Sequence, residues 1–375
     1  MNKSLPGSVF GQRLEAGTVD RHLRNYVADC GFRRALLITG KQSFVWFEEK
    51  NFIPSLEGEI SVKRWSDFLP NPDSKELREG LTLAQKYDPD VVIGIGGGSV
   101  LDMAKLIAAL MDNPSSSKDL FVSGADFDHR KVSLVLVPTT AGSGAEATHF
   151  AVLYRDGVKH SIAGKALNAD YIALDSDLVK TASPEQLAAS GLDALCQCIE
   201  SLWSRKTTPS SLDYAEEGLT VLAQNLVAFV KGDSDSAREM QWASHLSGQA
   251  INISRTTGPH ALSYHLTAEY QVPHGIAAAS TVGHFIDHHN ELLRSDSYGF
   301  SSALGRSMGI INRRLGLSGD RAGSIYFSML FSQLGLAQPE RYWPPSGEGR
   351  RAWLSSANSE RLENHPTDLP KLGKQ

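Results

Sequence analysis

Apolar positions in the first half of the chain fall in short unbroken runs. Arg34–Thr39, Asp90–Gly96 and Ser133–Pro138 each read as strands buried on both faces, because turn residues bound them and no polar position alternates within them. Polar stretches of helical character, such as Ser74–Tyr87, separate the runs, so βαβ units and a mainly parallel sheet are expected. From about Pro184 the period changes. Pro184–Ser204, Leu212–Val230 and Ser236–Ile253 space their apolar residues three and four apart, which predicts a helical second half. A short Ser-Pro turn near Ala182–Pro184 marks the boundary, giving an α/β domain over 1–183 and a helical domain over 184–375. The stretch from Pro344 to Gln375, rich in Pro, Ser and charge, predicts a loose surface tail.

Composition narrows the classes. With 375 residues, 41% hydrophobic and 21% charged, the chain reads as an ordinary globular protein with ample core. Thirty-seven basic residues against 42 acidic give a net charge of −5 with no basic block, which argues against a nucleic-acid surface. The longest apolar runs, such as Leu106–Met111, fall far short of the ~20 residues of a membrane span. Met1–Phe10 has no apolar core of a secretion signal. Three cysteines, with Cys196 and Cys198 two apart on one helix, predict reduced thiols and a cytoplasmic protein.

Two loops carry candidate chemistry. Gly94-Ile-Gly-Gly-Gly-Ser-Val-Leu-Asp-Met-Ala-Lys105 follows a predicted strand and opens a predicted helix. Gly96, Gly97 and Gly98 let the backbone turn and approach a ligand, Ser99 offers a helix cap, and the helix N-terminus favours a phosphate. A glycine-rich structural turn is the other reading. The second loop, Val137-Pro-Thr-Thr-Ala-Gly-Ser-Gly144, also follows a strand and offers the Thr139, Thr140 and Ser143 hydroxyls. Such loops at the carboxyl ends of parallel strands are where α/β sheets bind nucleotides.

A third constellation suits a metal. Asp193 and Gln197 lie four apart on one helical face, and His260 and His274 follow. Carboxylate with imidazole is a reasonable set for a first-row divalent ion. By spacing alone, most pairs of histidines fourteen apart are ordinary core or surface residues.

Taken together, GIGGGSVLDMAK, VPTTAGSGAEAT, KHSI, ASGLDALCQCIESLWS, PHALSYHLTAEYQVPHG and NSERLENHP resemble, in order and over most of the chain, the iron-containing (group III) alcohol dehydrogenase family. The resemblance implies a Rossmann-like α/β dinucleotide-binding domain followed by an all-α metal- and substrate-binding domain, the dehydroquinate synthase-like fold. It implies an NAD(P)-dependent alcohol dehydrogenase or aldehyde reductase with a divalent metal, Fe²⁺ first and Zn²⁺ second. Gly96, Gly97, Gly98 and Ser99 would serve the pyrophosphate, Thr139, Thr140 and Ser143 the nicotinamide half, and Lys159 the ribose, with Asp102 also among the cofactor-binding residues. Asp193, Gln197, His260 and His274 would hold the metal.

Three departures from the family pattern shape the reading. Gln197 stands where the family usually has histidine. Tyr264 stands where a further histidine is usual, with His265 beside it, and either could relay a proton. Gly40 replaces an acidic residue that repels a 2′-phosphate, so Gly40, Lys41 and Ser43 favour NADPH over NADH. In addition, Arg255, Thr256 and Thr257 precede His260 and suit an anionic substrate. These features resemble the phosphonoacetaldehyde reductase branch, which implies reduction of a small anionic aldehyde in phosphonate biosynthesis. Neutral or carboxylated aldehydes and a dehydroquinate synthase-like lyase are the alternatives. A homodimer is the assembly expected, with neither nucleic acid nor membrane as partner.

Overall fold

The computed structural model describes residues 11–58, 60–112, 128–155, 158–295 and 302–372. The segment Met1–Phe10, inspected above for a secretion signal, lies outside the described residues. The chain divides into two compact units, Met1–Thr140 with Gly144–Thr181, and Ala141–Ser143 with Ala182–Gln375. No helix among the described residues is long and apolar enough to cross a membrane.

The first unit contains the strands β1 (Gln12–Arg13), β2 (Arg34–Thr39), β3 (Ser61–Trp65), β4 (Val91–Gly96), β5 (Ser133–Pro138), β6 (Phe150–Arg155), β7 (Val158–Ala163) and β8 (Tyr171–Leu174). Its helices are α1 (Val19–Cys30), α2 (Val45–Glu49), α3 (Phe52–Glu57), α4 (Ser74–Tyr87), α5 (Gly98–Leu110) and α6 (Ser176–Val179). Six strands form one sheet in the order β1-β8-β5-β4-β2-β3, parallel at every pairing, while β6 and β7 form a separate antiparallel hairpin. The apolar runs that predicted strands are the central ones. Every residue of β4 is buried, as a parallel strand covered on both faces requires, whereas edge strand β3 alternates.

One carboxylate closes the sheet's far edge. Asp175, wholly buried after β8, accepts hydrogen bonds from the N–H groups of Gly17, Thr18 and Val19 at 2.9, 2.9 and 3.0 Å, and from Asp177 N–H at 3.0 Å. Removing it strands several donors at once. Asp175→Ala is therefore expected to cost about 2–4 kcal/mol, read as a lowered midpoint in urea unfolding, with Asp175→Asn intermediate.

The second unit is helical: α7 (Pro184–Trp203), α8 (Pro209–Val230), α9 (Ser234–Ser254), α10 (Gly258–Tyr270), α11 (His274–Arg294), α12 (Ala303–Leu315), α13 (Ala322–Gln333), α14 (Glu348–Ser355) and α15 (Ser359–Glu363). Helix α7 begins where the Ser-Pro signal predicts it. Ser183 and Gln186 form a reciprocal capping box, and Pro184 takes the first helical position. The expected loose tail is corrected. Residues after Pro344 build α14 and α15, and Trp353 is wholly buried with its Nε1 donating to Leu262 O at 2.9 Å. Asn364, His365 and Leu372 are also buried. A segment carrying that much apolar and hydrogen-bonding surface gains by packing, whatever its charge content.

Candidate active-site residues

In the first unit the parallel register aligns three strand ends. Thr39 pairs with Ile95, and Gly96 with Pro138, so the loops beginning at Gly40, Gly97 and Thr139 leave from one edge of the sheet. Thr139 N–H donates to Gly96 O at 3.0 Å, tying two of those loops together. Helix α5 starts there, and its first-turn amides give that edge a positive end suited to phosphate.

Gly96 also serves packing. None of Gly96, Gly97 and Gly98 has a positive φ. A Cβ on Gly96 would instead meet Val100 at 2.6 Å, so close approach of α5 to the strand is what excludes a side chain. Ser99 is corrected as a cap: the N-cap is Gly97, and Ser99 Oγ accepts from Asn71 N–H at 3.2 Å. Asp102 is also corrected. Its carboxylate accepts from Val152 N–H at 2.9 Å and sits 3.8 Å from the buried Lys105 ammonium, fixing the β6–β7 hairpin to α5. Burial pushes the Asp102 carboxyl up, with Lys105, the Val152 amide and Lys159 opposing. Lys159 lies on β7, half-buried.

Around Gly40 the structure adds a residue that sequence reasoning missed. Arg64, near the end of β3, donates from Nε to Thr39 Oγ1 at 2.8 Å and from Nη2 to Gly40 O at 3.4 Å, while Glu48 holds Nη1. Lys41 is exposed, 3.9 Å from Asp67.

In the second unit the fold gathers three of the four expected metal ligands. One ligand atom each from Asp193 on α7, His260 on α10 and His274 at the start of α11 lie within 4.8 Å of one another. His260 Nε2 is 3.1 Å from Asp193 Oδ1, and its Nδ1 is bonded to Glu200 Oε1. Glu200, wholly buried on the helical face that carries Asp193 and Gln197, was not anticipated. It also accepts from Thr257 N–H at 2.6 Å and Thr257 Oγ1 at 3.0 Å. A carboxylate behind a histidine fixes ring orientation and makes the outward nitrogen a better donor. Burial alone pulls the His260 pKa down, but Glu200 and Asp193 outweigh it and hold the imidazolium up to about 10. An acid–imidazole–imidazole set, two of its members buried and one half-buried, backed by a carboxylate, fits a first-row divalent cation.

Gln197 Oε1 accepts from Ser247 Oγ at 2.8 Å and its Nε2 donates to Ser143 O at 3.4 Å. Ser143 accordingly groups with the second unit, apart from Thr139 and Thr140. Thr257 is corrected as a substrate contact, because its hydroxyl donates to Glu200 and accepts from Trp203 Nε1 at 2.8 Å. Thr256 is buried, and its carbonyl accepts from Asn364 Nδ2 at 3.0 Å. Arg255 is half-buried at the end of α9. Tyr264 stacks on His274, ring centroids 5.7 Å apart at 13°, and hydrogen-bonds Arg361. His265 is turned about 100° further round α10, with its ring 5.9 Å from that of Tyr270.

Comparison with known proteins supplies a frame. Residues 13–176 match the family model described as iron-containing alcohol dehydrogenase, and residues 187–335 match its C-terminal family model. A phosphonoacetaldehyde reductase of Streptomyces viridochromogenes is 35% identical over 219 residues, covering 55% of each chain. Long-chain-alcohol dehydrogenase 1 of Geobacillus thermodenitrificans is 32% identical over 219 residues, covering 57% of this chain and 55% of its own. The chain thus spans about half the length of these curated relatives. In fold it is similar to sulfoacetaldehyde reductase from Bifidobacterium kashiwanohense, with a TM-score of 0.84, 22% identity, and 96% and 94% of the two chains covered.

Proposed function

The chain belongs to the iron-containing alcohol dehydrogenase family, and from that premise we propose that it is a metal- and NAD(P)H-dependent reductase of a small anionic aldehyde, with phosphonoacetaldehyde as substrate and 2-hydroxyethylphosphonate as product. The observation that carries the reaction class is the trio of buried Asp193 and His260 with half-buried His274, and Glu200 behind His260. These three residues would hold the cation. Bound there, a divalent cation supplies Lewis acidity to a carbonyl oxygen, and a reduced nicotinamide supplies hydride.

The chain's own residues do the rest. Glu200 orients His260 and keeps its Nε2 turned toward Asp193. Tyr264, stacked on His274 with its hydroxyl held by Arg361, carries the proton that the product alcohol requires, a role His265 is turned away from. In the α/β unit the Gly97–Ser99 amides receive the pyrophosphate, and Thr139, Thr140 and Lys159 line the same cofactor. Arg64 beside Gly40, with Lys41, supports a 2′-phosphate and therefore NADPH.

Arg255 supports the anionic substrate, since a guanidinium meets a phosphonate with paired hydrogen bonds. Arg255→Ala is expected to lower kcat/KM for phosphonoacetaldehyde about 10–100-fold while propionaldehyde changes less than about threefold. Steady-state NADPH oxidation with both aldehydes checks this; equal losses would refute the anion anchor. Wild-type turnover that favours the neutral aldehyde would keep the family and discard the phosphonate.

A further inference from the structure

We propose that Ser263 is a positioning residue that selects which nitrogen of His274 turns toward Asp193 and His260, by accepting the Nδ1–H hydrogen bond and leaving Nε2 for the cation. The inference rests on the metal-dependent reading above and deepens it, giving His274 a partner as Glu200 is the partner of His260.

The turn between two helices sets up the contact. Helix α10 ends at Gln271, which has φ 55° and ψ 25°, and the N–H groups of Gln271 and Val272 both bond Leu266 O. That left-handed end reverses the chain, and α11 starts at His274 three residues later. Ser263, eleven residues before His274 and wholly buried, donates from Oγ to His260 O at 2.9 Å and lies 3.4 Å from His274 Nδ1. The first bond alone is an ordinary back-bond within a helix. The second reaches a ring on the next helix, so one hydroxyl ties together both candidate imidazole ligands. A hydroxyl has a single proton. Given to His260 O, it leaves the oxygen to accept from His274, whose Nδ1 then carries hydrogen and whose Nε2 keeps its lone pair.

Stacking cannot make that choice. Tyr264 lies against the His274 ring with centroids 5.7 Å apart at 13°, which fixes the plane of the ring. A half-turn about the Cβ–Cγ bond preserves that plane while exchanging Nδ1 with Cδ2 and Nε2 with Cε1. One state offers the cation a lone pair and the other a C–H. Ser263 distinguishes them, because only one presents Nδ1–H to its oxygen. A neutral hydroxyl polarises the ring less than the Glu200 carboxylate polarises His260, so its effect is on orientation more than on donor strength. His274 is half-buried while His260 is buried, so the ring with more room to turn is the one this hydroxyl restrains.

The test loads wild type and Ser263→Ala with Zn²⁺, a diamagnetic stand-in for the divalent cation. Affinity is read by chelator competition, the ring nitrogens by nitrogen NMR of histidine-labelled protein, and folding by the melting point of the metal-free form. The His274 signals are assigned by their loss in His274→Gln. Wild type is expected to bind one Zn²⁺ per chain, with His274 coordinated through Nε2 and protonated at Nδ1. Ser263→Ala is expected to bind at least about tenfold more weakly and to replace the single set of His274 signals by a mixture. Its metal-free melting point should stay within about 3 °C of wild type, since alanine suits a buried helix. A smaller loss of affinity, a single unchanged set of His274 signals in Ser263→Ala, or coordination of wild-type His274 through Nδ1 would each overturn the inference. So would a metal-free melting point lowered by more than that margin, which would make Ser263 a packing residue. If wild type takes up no stoichiometric Zn²⁺, the metal-dependent reading falls and takes the inference with it. If wild type binds it and Ser263→Ala matches wild type, the inference alone falls.

Discussion

Asp193→Ala is expected to purify folded, to retain no stoichiometric divalent metal, and to lose at least about 10³-fold in kcat/KM for every aldehyde tested. Asp193 is the only carboxylate of the trio, so its removal takes away both a ligand and the negative charge that offsets a dication. Polarising a carbonyl contributes several kcal/mol to a transition state, and each ~1.4 kcal/mol is a factor of ten. The loss should be common to anionic and neutral aldehydes, which separates it from Arg255→Ala. Metal content by plasma emission and steady-state kinetics check the two halves. Full activity in a protein shown to be metal-free would contradict the assignment.

Gly275→Ala is the second large effect. Gly275 follows the candidate ligand His274 on α11, and a Cβ there would lie 1.9 Å from Ala189 O and 2.7 Å from Asp193 N on α7. Both neighbours are backbone within a helix, so no side chain can move aside and α11 must back away by more than an ångström. Overpacking of this kind costs about 3 kcal/mol or more, and the displacement separates His274 from Asp193. The expected result is a melting point lower by about 5–10 °C together with metal affinity weakened at least about tenfold. Gly309→Ala serves as the control: it also lies inside a helix, but the nearest contact of its Cβ is the flexible Arg313 guanidinium at 3.4 Å. It should gain up to about 1 kcal/mol from helix propensity. A Gly275→Ala protein that melts and binds metal like wild type would show that the α7–α11 contact does not set the ligand geometry.

Much of the fold was legible because its signals are local. Arg34–Thr39, Ser133–Pro138 and Ser74–Tyr87 coincide with β2, β5 and α4, and the Ser183–Pro184 start of α7 follows from capping chemistry alone. The metal trio was legible, but the carboxylate behind it was not. Glu200 sits seven residues after Asp193 on the face that also carries Gln197, and a buried acid in that row is a signal that spacing could have exposed. Ser99 and Asp102 went astray for a different reason. Asp102 and Lys105 lie three apart on a helix buried all round, so their charges are spent on the β6–β7 hairpin and not on a ligand. Trp353 and Asn364 donate to backbone carbonyls 91 and 110 residues away, which no sequence pattern identifies. The tail that carries them reads as polar, yet Trp343 and Trp353 within or beside it are too apolar to remain in water.

The most direct measurement is an anaerobic Fe²⁺ titration of chelator-treated wild-type protein, following NADPH oxidation with phosphonoacetaldehyde. The account predicts no oxidation before metal is added, a linear rise on addition, and saturation at one equivalent per chain, with Asp193→Ala silent throughout. Undiminished turnover in the metal-free protein, or no turnover at any metal loading, would contradict it.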